Sequence, residues 1–192
     1  MGVKTLLTLE QFVELPSEQE RHFELDDGEL IELPGPTPVH NLVRDTATTA
    51  LGVHLLQHPV GMVLAGTDVR LGTATVRRPD IAFYSREVWD RIDPHKVPVL
   101  FAPDLVAEVI SPNDTTADLN HRVNQYFRAG IQEIWLIYYK DREVHIRRPS
   151  FARILGGADT LESPEILPGF SLSLGDLFEW VPPAPADEPP AS

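Results

Sequence analysis

Two lone carboxylates set in apolar runs are the residues of this chain best placed to do chemistry. They are Asp80 in Arg78-Pro79-Asp80-Ile81-Ala82-Phe83-Tyr84 and Glu108 in Leu105-Val106-Ala107-Glu108-Val109-Ile110-Ser111. An ionised carboxylate in an aliphatic run is seldom tolerated inside a protein unless something cationic compensates it. On an extended strand Asp104, Val106, Glu108 and Ile110 share one face, so Glu108 points among mostly apolar neighbours and needs a partner. If Asp80 ends an adjacent strand, the two carboxylates converge on one coordination sphere. That arrangement suits Mg²⁺ or Mn²⁺, since magnesium takes one or two protein carboxylates and completes its octahedron with waters and substrate phosphate. The backbone carbonyl of Val109 is a natural third ligand. An ion held there lowers the pKa of a bound water and neutralises charge building on phosphorus. The competing explanations are a polar strand end after proline for Asp80, and a buried ion pair with an arginine for Glu108.

Composition narrows the chemistry. The chain has 192 residues, 42% of them hydrophobic, which fits one domain with a real core over residues 1–181. Residues 182–192, rich in proline and alanine, cannot build a core and are expected to be a disordered tail. No cysteine is present, so disulfides, thiolate ligands and a thiol nucleophile are excluded, and any metal is bound by His, Asp or Glu. There is no long apolar run and no signal-peptide pattern, so no membrane partner and a cytoplasmic location are expected. The formal net charge of −13 argues against general coating of nucleic acid, which rests on neutralised phosphates. Local basic stretches remain: Lys140, Arg142, Arg147, Arg148 and Arg153 in one, and Arg70, Arg77 and Arg78 leading up to Asp80. Both are read as solvated strand and loop charges rather than as a binding patch.

The elements that would position these residues follow from periodicity and punctuation. Thr8-Leu9-Glu10-Gln11 is a capping box opening a short helix that Pro16 ends. Residues 21–25 and 29–33 alternate on either side of Asp26-Asp27-Gly28, which predicts a hairpin. After the rigid Pro34-Gly35-Pro36-Thr37-Pro38, apolar spacing predicts a helix from His40 to about His58. Strands are expected at about 61–65, 68–72 and 77–84, then a short helix near 86–91. Residues 104–110 form a central buried strand. A helix capped by Thr115 or Thr116 runs to Arg128 and stops at Ala129-Gly130. Strands at 131–139 and 142–147 follow, and Leu161–Trp180 is the last ordered stretch. This order implies an α+β domain with a mixed central sheet flanked by helices.

Other chemistries lack their motifs. Gly-x-Ser-x-Gly, the phosphate-binding Gly-x-x-x-x-Gly-Lys-Ser/Thr, His-Glu-x-x-His and Gly-x-Gly-x-x-Gly after a strand are all absent. Ser111 has no evident histidine partner. Tyr126, Trp135 and Tyr138 suit packing better than base stacking.

Several motifs in order resemble the Uma2 family, a domain of unknown function in the PD-(D/E)xK restriction-endonuclease-like superfamily. They are Arg21-His22-Phe23-Glu24-Leu25 with Gly28-Glu29-Leu30, Pro36-Thr37-Pro38 with His40, Pro79-Asp80, the segment from Asp104 to Pro112, and Tyr126 with the segment from Ala129 to Trp135. The resemblance spans about residues 8–180. It implies a restriction-endonuclease-like αβββαβ core with an added N-terminal β-hairpin, and a Mg²⁺ or Mn²⁺ site on Asp80 and Glu108. The position two past the glutamate holds Ile110, and the family's lysine comes instead from the following helix, four residues before the tyrosine. Here that position is Arg122. Arginine can hold a phosphate or pair with Glu108, but it cannot act as a general base. In this fold a group from the hairpin or the next helix can reach the metal, which makes Glu32 and His40 auxiliary candidates.

Three functions follow from the residues and the resemblance. The first is Mg²⁺-dependent hydrolysis of DNA phosphodiesters by Asp80, Glu108 and Arg122. The second is a nuclease-fold binding or regulatory protein that does not cleave, and the third is hydrolysis of a non-nucleic substrate. Cutting both strands of DNA calls for two sites, so a homodimer is expected, with an exposed edge strand near 142–147 as its interface.

Overall fold

The computed structural model describes residues 6–15, 22–111 and 114–183. Pro16, Arg21, Pro112 and residues 184–192 of the proposed tail lie outside them. Helix α1 (Leu9–Val13) opens as expected: the Thr8 hydroxyl accepts from the Gln11 N–H while the Gln11 side chain accepts from the Thr8 N–H. Strands β1 (His22–Asp26) and β2 (Glu29–Leu33) pair antiparallel. Asp27 and Gly28 join them with φ of 48° and 92°, the left-handed pair that a two-residue hairpin turn requires. Helix α2 (Pro38–Gln57) starts at Thr37, whose hydroxyl accepts from the His40 N–H, with proline in its first turn.

The chain then lays down β3 (Gly61–Ala65), β4 (Val69–Arg70), β5 (Val76–Arg77), β6 (Ile81–Ser85), the short α3 (Arg86–Trp89) and β7 (Leu105–Val109). Helix α4 (Thr116–Arg128) is capped by Thr115 and ends at Gly130, with φ of 95°. After it come β8 (Glu133–Tyr138), β9 (Glu143–Arg148), β10 (Phe151–Leu155), β11 (Thr160–Ser163), β12 (Leu167–Ser173) and α5 (Leu174–Leu177).

A six-stranded sheet in the order β10-β9-β8-β7-β6-β3 forms the centre. Its β7–β8 pair is parallel and its other pairs antiparallel, so it is the mixed sheet expected. The succession α2-β3-β6-β7-α4-β8 is the αβββαβ core, with β4 and β5 inserted between its first two strands. All five residues of β7 are buried because both faces of the sheet are covered. On one face Val43, Ala47 and Leu51 of α2 pack with Leu105, Ala107, Val109 and Trp135 and with the C-terminal Phe170 and Phe178. On the other, Val123 and Tyr126 of α4 cover Val106, Ile134 and Leu136. Glu108 alternates with Val109 and so belongs to the α4 face.

Three expectations change. The strand expected at 77–84 is two strands: β5 joins a second sheet, in the order β2-β1-β5-β4, and β6 the central one. Pro79 has no N–H for a ladder and restricts Arg78 before it, so the run breaks there. The strand expected at 68–72 shortens to β4. The 142–147 strand is not an edge, because β10 pairs with Val144 to Arg148 of its neighbour β9. The outward residues of β10 hid it: Phe151 to Ile154 are all exposed, so no apolar alternation marks the segment.

Candidate metal centre

Asp80 sits directly before β6, and Glu108 lies in β7. The antiparallel register pairs Ile81 with Ala107, so one step back along β6 sets Asp80 beside Glu108. Both carboxylates line a cavity of about 500 Å³, together with Glu24, the loop 33–37, His40, Arg44, Arg78, Val109, Ser111, Asp114 and Arg122.

Asp80 is oriented from two sides. Its Oδ2 accepts from the Val109 N–H at 2.8 Å and meets Nε2 of His40 at 3.2 Å. Burial works against a charged His40 ring, but the bond to Asp80 and the Asp80 charge outweigh it and raise the histidine's pKa. The other ring nitrogen, Nδ1, is buried with no hydrogen-bond partner. Helix α2 delivers this histidine in its first turn, where the Thr37 cap fixes the backbone.

Glu108 is 5% exposed. Its carboxyl is raised to about 7: burial pushes it up, Arg122 pulls it down less than that, and the Asp80 charge adds to the rise. The Tyr126 hydroxyl donates to Oε1. Burial, and after it the Glu108 charge, holds that phenol well above its usual pKa, so it remains a donor. Nη1 of Arg122 stands 3.9 Å from the same Oε1, which leaves Oε2 for the cavity. The Glu108 carboxylate in turn keeps Arg122 protonated, and Nε of this guanidinium is buried without a partner.

The structure thus brings together Asp80, Glu108, Val109, Arg122 and His40 of the residues expected from sequence. It does not bring in Glu32, which is exposed on β2 opposite Phe23 and is not among the cavity residues. Its place is taken by Glu24 on β1, which is 3% exposed. Glu24 pairs with Ile31, one register step away, and a single step turns a strand residue to the other face. Phe23-Glu24-Leu25 is another lone carboxylate between apolar residues, but so is Ile31-Glu32-Leu33, so that signal does not choose between them. Arg77 was expected among solvated charges; it is 4% exposed and bonds Glu24, Asp26 and Gln125. Asp104, by contrast, is structural, accepting from the Ser85 N–H and the Gln132 side chain.

The donor set fits a hard divalent cation. Two carboxylates face one cavity, and burial and the Asp80 charge make an ionised Glu108 costly, a cost that a divalent ion would remove.

The family model for Uma2, described as a putative restriction endonuclease, matches residues 9–175. The chain belongs to the Uma2 family. The fold of this Uma2 protein is also that of a solved structure, described as a putative nuclease belonging to DUF820 from Anabaena variabilis. The two share 22% identity with a TM-score of 0.77, over 91% of this chain and 98% of the other. No curated protein matches the chain. In the Uma2 protein, no helix among the described residues is long and apolar enough to cross a membrane.

Proposed function

We propose that this protein is a Mg²⁺- or Mn²⁺-dependent DNA endonuclease whose site is Asp80, Glu108 and Arg122. The observation that carries this is the placing of both carboxylates on one cavity wall, with Glu108 buried against Arg122. Asp80, Glu108 and the Val109 carbonyl would hold the divalent cation, which would supply Lewis acidity toward a water and a phosphate oxygen. The side chains supply the rest. Tyr126 fixes one oxygen of Glu108, so the carboxylate has one orientation. His40 and the Val109 N–H fix Asp80 in the same way. Arg122 remains charged at every working pH and offers planar donors to a phosphate that displaces it from Glu108.

One observation favours a second function. Arg122 stands where the resemblance to the family implies a lysine, and it cannot take a proton from water, so a nuclease fold that binds without cleaving is the alternative. Calorimetric titration with Mn²⁺ tests the shared premise. Wild type should bind in the micromolar to millimolar range and Glu108→Ala should show no heat; equal binding by the two would remove Glu108 from the site.

A further inference from the structure

Arg77 ends β5, three residues before Asp80, and every nitrogen of its guanidinium is engaged. Nη1 meets Glu24 Oε2 at 2.7 Å and Nη2 meets Asp26 Oδ2 at 2.7 Å, both on β1. Nε and Nη2 donate to Gln125 Oε1 on α4, at 2.9 and 2.7 Å. The remaining oxygen of Glu24, Oε1, accepts from the Arg78 N–H at 2.8 Å. The segment from Arg77 to Pro79 is therefore held by side chain and backbone at once, and Asp80 follows it directly. On α4, Gln125 adjoins Tyr126, the donor to Glu108, and lies one turn beyond Arg122. One guanidinium thus ties the strand end that presents Asp80 to the helix that presents Arg122 and Tyr126.

A buried ion pair is weak evidence for stability, because the desolvation of both charges opposes their attraction. Its geometry is the better guide to its use. A planar fork reaching two elements fixes their relative position in a way an ammonium cannot. We propose that Arg77 is a positioning residue that sets Asp80 against Glu108 by locking β5 to α4 through Gln125 and to β1 through Glu24. This rests on Asp80 and Glu108 forming the site, and it extends that site to the buried Arg77 network behind it, of which Glu24 lines the cavity.

The test compares full-length wild type, Arg77→Lys, which keeps the charge but loses the fork, and Gln125→Met, which removes the α4 arm and buries no new charge. Mn²⁺ affinity is measured by calorimetry, and amide exchange at Val109, whose N–H is held by Asp80, by NMR. Both variants should fold, bind Mn²⁺ about 10- to 100-fold more weakly, and exchange the Val109 amide about tenfold faster, with the amides of β8 unchanged. A merely structural arginine would lower protection uniformly, and that result would overturn the proposal. Wild-type affinity and Val109 protection in the variants would also overturn it, as would failure of Arg77→Lys to fold. If wild type itself takes up no Mn²⁺, the metal site fails as a separate matter, and the Val109 amide alone decides the role of Arg77.

Discussion

Burial and the Asp80 charge make an ionised Glu108 costly in the cation-free protein, and that cost has a definite sign with pH. Its folded-state pKa, about 7, lies above the ordinary carboxylate value of 4.5. Between those values the native state binds the extra proton, so stability falls as pH rises through that window. His40, also raised, acts in the same direction: its contribution is complete below its unfolded pKa and is lost as pH rises through the folded one. Thermal unfolding at pH 5 and pH 7 should therefore show Glu108→Gln gaining stability relative to wild type at the higher pH; a difference independent of pH would contradict the buried, proton-hungry Glu108. Tyr126→Phe removes only the hydroxyl that fixes Oε1. A hydrogen bond to a charged group is worth about 1.5–3 kcal/mol, and denaturant titration above pH 7, where Glu108 is ionised, should show a loss of that order. The same apolar-neighbour criterion that singles out Asp80 and Glu108 also marks Glu133, and there the bland explanation holds. Glu133 is fully buried, accepts from Trp135 Nε1 at 2.6 Å, and pairs with Arg148 at 2.5 Å. A lone carboxylate therefore marks a buried charge, and only its surroundings say whether it is a site.

Elements were legible where local signals agree with tertiary ones. The Asp27-Gly28 turn, the Thr8 and Thr115 caps, Gly130 after α4 and the apolar run of β7 each name a boundary or a type from neighbouring residues alone. The inserted sheet was not legible, because β4 and β5 are two residues each and exist only by pairing, β5 with β1 of the hairpin and β4 with β5. Nor was the choice of Glu24 over Glu32, since both lie on an alternating hairpin and only its packing decides which face turns inward. The fold around the site was therefore readable, and the ion-pair network behind it was not. Helix α4 carries two of the site's side chains, so its start matters to the cavity. The Thr115 hydroxyl accepts from the Asp118 N–H at 3.2 Å. Thr115→Ala should cost about 1 kcal/mol by chemical denaturation, and an unchanged midpoint would show that the cap does not hold this helix.

At the scale of the molecule, charge limits how the proposed DNA substrate could be held. With a net charge of −13, binding depends on a few local cations, and those lining the cavity already have carboxylate partners. Arg44 pairs with Asp45, Arg78 with Asp68, and Arg122 faces Glu108. Few phosphates are then neutralised per complex, so the logarithm of duplex affinity should fall with the logarithm of salt at a slope no steeper than about −2. Fluorescence anisotropy over a salt series measures it, and a slope near about −6 would mean an extended phosphate-binding face exists. The basic stretch from Lys140 to Arg153 does not supply one whole, since Arg148 is bound to Glu133 and Glu165 and Arg142 donates to the Val181 carbonyl. A dimer formed by sheet extension would use β10 or β3, the two ends of the central sheet, rather than β9. Chemistry at Glu108 is measured most directly by cleavage of supercoiled plasmid at low salt with Mg²⁺ or Mn²⁺ by wild type, Glu108→Ala and Arg122→Lys. Metal-dependent cleavage by wild type, lost in Glu108→Ala and kept or raised in Arg122→Lys, is the predicted result. Cleavage that survives in Glu108→Ala, or silence in all three proteins, would contradict the account.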